Sequence, residues 1–217
     1  MIKFYSPWRV WYSGYYNRLW PGGPGFNSQY SPQFIFFIDI MDTSEFIILC
    51  MSRVKDMLEK SLDGLTLEQT LIMPGEQSNN ISWLAWHMIR GFDRRVSLVS
   101  EDDQLWITEK WYESYKLPKS FTTLGIGHSI DDVKSIVHSN TSVPVDYFDS
   151  VYKKMTVTLN RKETILYEKI VRETNNTFKY ELMRMVAGTL QHVGQINYIR
   201  GLIENKIWYT GNVNEKR

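Results

Sequence analysis

Cysteine is almost missing from this chain. Cys50 is the single one in 217 residues, which excludes an internal disulfide framework and a Cys-rich zinc site. An excess of charge is missing too: 25 basic residues face 24 acidic ones, for a formal net charge of +1. A protein that tracks a phosphate backbone would normally carry a basic stripe, so nucleic acid is not an expected partner. No apolar run approaches the ~20 residues that span a bilayer, and the start lacks the pattern of a secretory leader. A membrane is therefore not an expected partner, and a reducing cytoplasm is the expected location. Gly125-Ile126-Gly127 has neither a preceding strand nor a third glycine, so it is no phosphate loop. No Ser-His-Asp order or nucleophile elbow is visible either. What the chain does hold is 43% hydrophobic residues, enough for a substantial core. Its length suits one domain, or one domain with an appendage. Cys50 lies in the run Phe46-Ile47-Ile48-Leu49-Cys50-Met51 and reads as a small core hydrophobe rather than a nucleophile.

Aromatic residues and proline are unevenly spread. Residues 1–40 hold 13 of the 31 aromatics and four of the seven prolines. The stretch Pro21-Gly22-Gly23-Pro24-Gly25 breaks any regular element there. Three readings of this extension stand: an aromatic arm packing on the domain or on a second subunit, a membrane-surface tag disfavoured by its low charge, or an upstream extension. In the last case Met41 is the genuine start, because Met41-Asp42-Thr43-Ser44-Glu45 leads into a capped helix. The expected division is thus an atypical extension over 1–40 and a helical domain over 41–217.

From Ser44 onward the hydrophobic period becomes helical. Phe46, Leu49 or Cys50, Val54, Met57 and Leu58 mark a first long helix ending before Gly64. A second starts near Ser78-Asn79-Asn80 with Ile81, Leu84, Ala85, Met88, Phe92, Val96 and Val99 as its stripe. Glu101-Asp102-Asp103 ends it. A long connection follows, carrying Trp106, Trp111, Tyr112 and Tyr115, and in it Ser129 caps a short helix. The aromatics of this connection fit either a pocket mouth or simple packing against the helices. A third long helix opens at Pro144, a favoured first-turn residue, and reaches about Asn160. The Ile165/Tyr167/Ile170 alternation suggests an extended piece. A fourth helix, about Tyr180 to Asn205, buries Leu182, Met185, Val186, Thr189, Val193, Ile196, Ile199 and Ile203. Four long amphipathic helices predict an all-α fold, a four-helix bundle with long connecting loops.

The four histidines are His87, His128, His138 and His192. His87 and His192 sit beside the apolar stripes of the second and fourth long helices. A buried imidazole without a partner costs about 1–3 kcal/mol. Either each is hydrogen-bonded within the core, or a metal ion between helices is the shared partner.

Two stretches of sequence bear on that choice. Asn80-Ile81-Ser82-Trp83-Leu84-Ala85-Trp86-His87-Met88-Ile89-Arg90 and His192-Val193-Gly194-Gln195-Ile196-Asn197-Tyr198-Ile199-Arg200-Gly201 resemble the two helix motifs of the DinB-like (DinB/YfiT) family. Gln104-Leu105-Trp106 and the stretch 125–133 resemble that family's connecting loop, so the likeness runs in order over about 43–206. The resemblance implies a four-helix-bundle metalloprotein, with His87 and His192 as ligands of a divalent ion, zinc or nickel. It implies a metal-dependent thiol S-transferase or hydrolase acting on a small molecule, in some members a low-molecular-weight thiol. A homodimer, which the family often forms, fits the near-neutral charge.

The chain departs from the family pattern at one position. The fourth helix of the family carries two ligand histidines at i and i+4, which places both imidazoles on one face. His192 matches the second, and the first falls on Gly188. Catalytic sites normally offer three protein ligands and an open position. A replacement is expected from Asp93 or from His128, whose plainer roles are an exposed helix residue paired with Arg94 or Arg90 and a solvated loop residue. Otherwise Gly188 leaves room for water or substrate, or the site has lost its metal and the chain is a non-catalytic ligand-binding or dimerising bundle. Gln195 fits either a residue that orients the His192 imidazole or a helix-helix hydrogen bond.

Overall fold

The computed structural model describes residues 42–161 and 167–208. The expectations for residues 1–40, for a start at Met41 and for Ile165 lie outside them. The described chain is predominantly α-helical, with α1 (Thr43–Leu62), α2 (Leu67–Thr70), α3 (Ile81–Ser100), α4 (Leu105–Thr108), α5 (Trp111–Ser114), α6 (Ile130–Ser135), α7 (Val143–Asn160) and α8 (Phe178–Ile203). A two-stranded antiparallel hairpin, β1 (Ile170–Val171) and β2 (Asn176–Thr177), precedes α8. Among the described residues no helix is long and apolar enough to cross a membrane.

The long helices begin where side chains can satisfy their first free N–H groups. Asp42 accepts from the Ser44 amide at 3.3 Å to open α1. Asn80 accepts from the Trp83 amide at 2.8 Å to open α3. Pro144 sits in the first turn of α7, where its missing N–H costs nothing. Thr177 closes β2 and caps α8, accepting from the Tyr180 amide at 3.4 Å, so the last helix starts two residues before the expected Tyr180. Ser129 and Asp132 form a reciprocal capping box at α6.

α3 packs against α7 and α8, and α1 packs against the same two helices. The α3 stripe expected from the period, Ile81 to Val99, is buried throughout. In α1 the buried face differs from the expected one. Ile47, Met51, Val54, Leu58 and Leu62 are inside, while Phe46 is 56% and Leu49 51% exposed. The reason is local: Phe46 to Met51 is an unbroken apolar run, so either face satisfies a helical period there. The register is set downstream by Val54 and Leu58, which both phases share. Cys50 is half-buried.

The aromatic residues of the connection between α3 and α7 pack on the helices. Trp106 and Tyr115 are buried, Trp106 lies 6.1 Å from the Tyr147 ring, and Trp111 stacks on Tyr147 at 5.0 Å. This packing is held by a buried polar cluster. Asp93 is fully buried, against the expectation of an exposed residue. Its Oδ1 accepts from the Leu105 amide at 2.9 Å, and its Oδ2 accepts from the Trp106 amide at 2.8 Å and the Tyr147 hydroxyl at 2.7 Å. The expected pairing with Arg90 is present at 3.8 Å. Arg90 also donates to Gln104 at 2.8 Å and covers the Trp106 ring at 4.4 Å. A carboxylate six residues after His87 is thereby committed to ordering the loop.

Candidate functional site

His87 on α3 and His192 on α8 meet edge to face, with ring centroids 4.8 Å apart and planes at 83°. His87 stacks on Trp83, one turn earlier, at 4.7 Å and 7°. Its Nδ1 is hydrogen-bonded to the Leu124 carbonyl. A carbonyl can only accept, so Nδ1 carries the proton and Nε2 is left with a lone pair. His192 repeats the arrangement: its Nδ1 lies 2.8 Å from Oε1 of Gln195, again an acceptor. His87 is thus held in the tautomer whose Nε2 keeps a free lone pair, and the Gln195 oxygen favours the same tautomer at His192. Burial lowers the His87 pKa; the Leu124 carbonyl opposes that, and nearby His192, Arg95 and His128 reinforce it. The neutral, ligating form is favoured.

The Leu124 carbonyl reaches His87 because Gly125 lets the loop approach. Gly125 has φ +87°, and a Cβ there would fall 2.8 Å from Trp83 and 2.9 Å from Trp86. Only glycine fits both the left-handed backbone and the two indole rings.

Beside the histidines lies a cavity of about 410 Å³ between α3 and α8, with Gly91, Arg95, Arg184 and Gly188 in its walls. A Cβ added at Gly188 would meet nothing within 4 Å, so the position one turn before His192 faces open space. Arg95 is 15% exposed and sits 3.6 Å from the buried carboxylate of Glu181. Burial and the neighbouring Arg184 lower its pKa, against the pull of Glu181.

Of the remaining expected residues, Gln195 touches the pair, His128 lies behind Trp83, and Asp93 is apart from it. Asp93 belongs to the buried cluster described above. His128 is half-buried rather than solvated: Trp83 Nε1 donates to its Nδ1 at 3.1 Å, and it stacks on Trp86 at 5.6 Å. Gln195 is on the His192 side, hydrogen-bonded to that imidazole. Among the described residues no group of three His, Cys, Asp or Glu side chains is arranged to hold a metal ion. Two features were not foreseen. The Leu124 anchor is a backbone atom, which carries no residue-type signal. Arg95 and Arg184 did carry one: His87, Gly91 and Arg95 are spaced by four, as are Arg184, Gly188 and His192, so each trio shares a helix face.

No protein-family model matches the chain, and no curated protein matches it. Among solved structures it is similar to a conserved protein from Enterococcus faecalis, with a TM-score of 0.69 and 20% identity over 76% of this chain and 99% of that one. At that identity the likeness concerns the fold.

Proposed function

We propose that the chain is a DinB-like four-helix bundle in which His87 and His192 hold a divalent ion, zinc or nickel. On this reading it is a metal-dependent thiol S-transferase or hydrolase acting on a small molecule, a low-molecular-weight thiol being one such substrate. The observation that carries the reading is the pair of imidazoles from two helices, 4.8 Å apart, each with Nδ1 tied to an acceptor oxygen. Outer partners of this kind fix the tautomer and orientation of metal-ligating histidines. These two nitrogens fit a metal as donors, and the open space at Gly188 fits a further position taken by water or substrate. When bound, such an ion would lower the pKa of a thiol or water that shares it. The chain's own part is to fix both rings, to keep His87 neutral and to shield one of its faces with Trp83.

A second reading has its own observation. The described residues offer no third ligand, and catalytic zinc sites normally have three. A non-catalytic bundle that keeps the pocket for a small ligand, or that dimerises, follows from that deficit.

Elemental mass spectrometry on tag-free protein purified without chelators separates the two. The metalloenzyme reading expects close to one divalent ion per chain, lost in both His87→Ala and His192→Ala while the helical circular dichroism stays nearly unchanged. Full metal content in both variants would remove the site. A natural protein that stays metal-free after reconstitution, with Gly188→His binding tightly, would favour the second reading.

A further inference from the structure

The two helix faces that line the cavity mirror one another. α3 presents His87, Gly91 and Arg95, and α8 presents His192, Gly188 and Arg184 in the opposite direction. His87 pairs with His192 at one end, and Arg95 meets Glu181 of α8 at the other, so the helices run antiparallel. Eight residues of helix separate each histidine from its arginine, about 12 Å along the axis. Gly188 carries no side chain to fill the gap, while the Arg95 guanidinium folds back over Gly91 and donates to its carbonyl at 3.0 Å. The result is a trough with the imidazoles at one end and the arginines toward the other.

The arginine end has more positive charge than the protein neutralises. Glu181 is the acidic partner of Arg95, but its Oε1 already accepts from Asn176 at 2.8 Å. Its Oε2 faces the Arg95 Nε at 3.6 Å, too far for a hydrogen bond, and neither atom has another partner. Arg184 makes no hydrogen bond or ion pair among the described residues. Arg95 and Arg184 line the same cavity, and the arginine fork is suited to carboxylate or phosphate.

We propose that this trough binds a small molecule carrying a carboxylate or phosphate, its anionic group held by Arg95 and Arg184 and its other end beside His87 and His192. The orientation rests on the histidine end being the reactive one, as argued above; the anion site itself does not. An anion at this end also offsets the repulsion that two arginines would impose on a cation bound at the other.

Thermal unfolding of the full chain, titrated with inorganic phosphate and separately with succinate at constant ionic strength set by chloride, tests it. Ligand that binds only the folded state raises the midpoint in a saturable way. The expected result is saturation by one or both probes in metal-free protein, with affinity falling about tenfold or more in Arg184→Gln. Arg184 is exposed, so that variant keeps the fold; Arg95→Gln, which also strips Glu181 of its partner, is the harsher check. A response to phosphate alone assigns a phosphate ester, and to succinate alone a carboxylate. No saturable response, or one unchanged in Arg184→Gln, overturns the proposal even if the histidines bind metal. A response that persists when no metal binds leaves the anion site standing and removes the metalloenzyme reading instead.

Discussion

Two polar clusters lie along α3, only six residues apart, and they are finished to different degrees. Around Asp93 both carboxylate oxygens are used, by two backbone amides and one hydroxyl, and a buried guanidinium balances the charge, with only its Nε left without a hydrogen-bond partner. Around His87 each imidazole keeps one nitrogen free, Gly188 faces open space, and Arg184 has no partner among the described residues. Buried polar groups that are fully satisfied rigidify a fold, whereas unsatisfied ones are costly unless something else completes them. The Asp93 cluster therefore belongs to stability, and the His87 cavity is where we propose binding.

The sharpest way to break that contrast is Asp93→Asn. The side chain keeps its shape, but one acceptor oxygen becomes an amide NH2 facing N–H or O–H donors, and Arg90 loses its counter-charge. Breaking a buried pair in this way costs about 3–5 kcal/mol, and denaturant unfolding should show a loss of that size. His87→Ala, in the cavity, should shift the same curve by no more than about 1 kcal/mol. Equal losses in the two variants would erase the distinction between a structural and a binding cluster.

A middle-sized effect is expected at Gly125, where the two clusters share a loop. Thr122 and Phe121 of that loop accept from Arg90 and Trp106, the latter at 3.0 Å, and Leu124 accepts from His87. Gly125→Ala would put a Cβ against two indole rings at a positive φ, a strain of about 1–3 kcal/mol. Because the loop must shift, the His87 ring loses its anchor, and metal affinity is expected to fall by about 10- to 100-fold, the usual cost of removing such a partner. An equilibrium metal competition assay on Gly125→Ala checks this. Unchanged affinity with lowered stability would show that the Leu124 carbonyl does not set the imidazole.

The sequence carried the helices, and the positions of His87 and His192 beside their apolar stripes, because those depend on local, repeating signals. Asn80, Ser129 and Pro144 mark helix starts whatever surrounds them, and the stripe from Ile81 to Val99 follows from helical geometry. It could not choose the buried face of α1, since Phe46 to Met51 is apolar at every position. Nor could it tell that Asp93 is buried: a carboxylate next to Arg94 and near Arg90 has the composition of a solvated helix face, and only the return of the chain at Leu105 and Trp106 encloses it. The mirrored arginines were similarly hidden. Their four-residue spacing is legible on each helix, but the antiparallel alignment that brings Arg95 toward Arg184 is a tertiary fact.

The smallest expected effect concerns pH, and it sharpens the comparison between an open cavity and closed packing. His87 and His138 both have pKa values lowered from 6.5 by burial, each partly offset by a backbone carbonyl. A group whose folded pKa lies below its unfolded one binds fewer protons folded than unfolded, so its contribution is present above about pH 6.5 and is lost as pH falls through the folded pKa. Thermal midpoints should therefore decline on acidification below 6.5, less so in His87→Gln and in His138→Gln than in the natural chain. The two differ in what else reaches them. His138 is buried, tied at 2.7 Å to the Asn140 carbonyl and set edge-on to Tyr115, while His87 shares the cavity with His192 and Arg95. A divalent ion added to the protein must compete with protons at His87. It should steepen the decline in the natural chain and in His138→Gln, but leave the slope of His87→Gln unchanged. An equal steepening in all three would place metal binding away from this cavity.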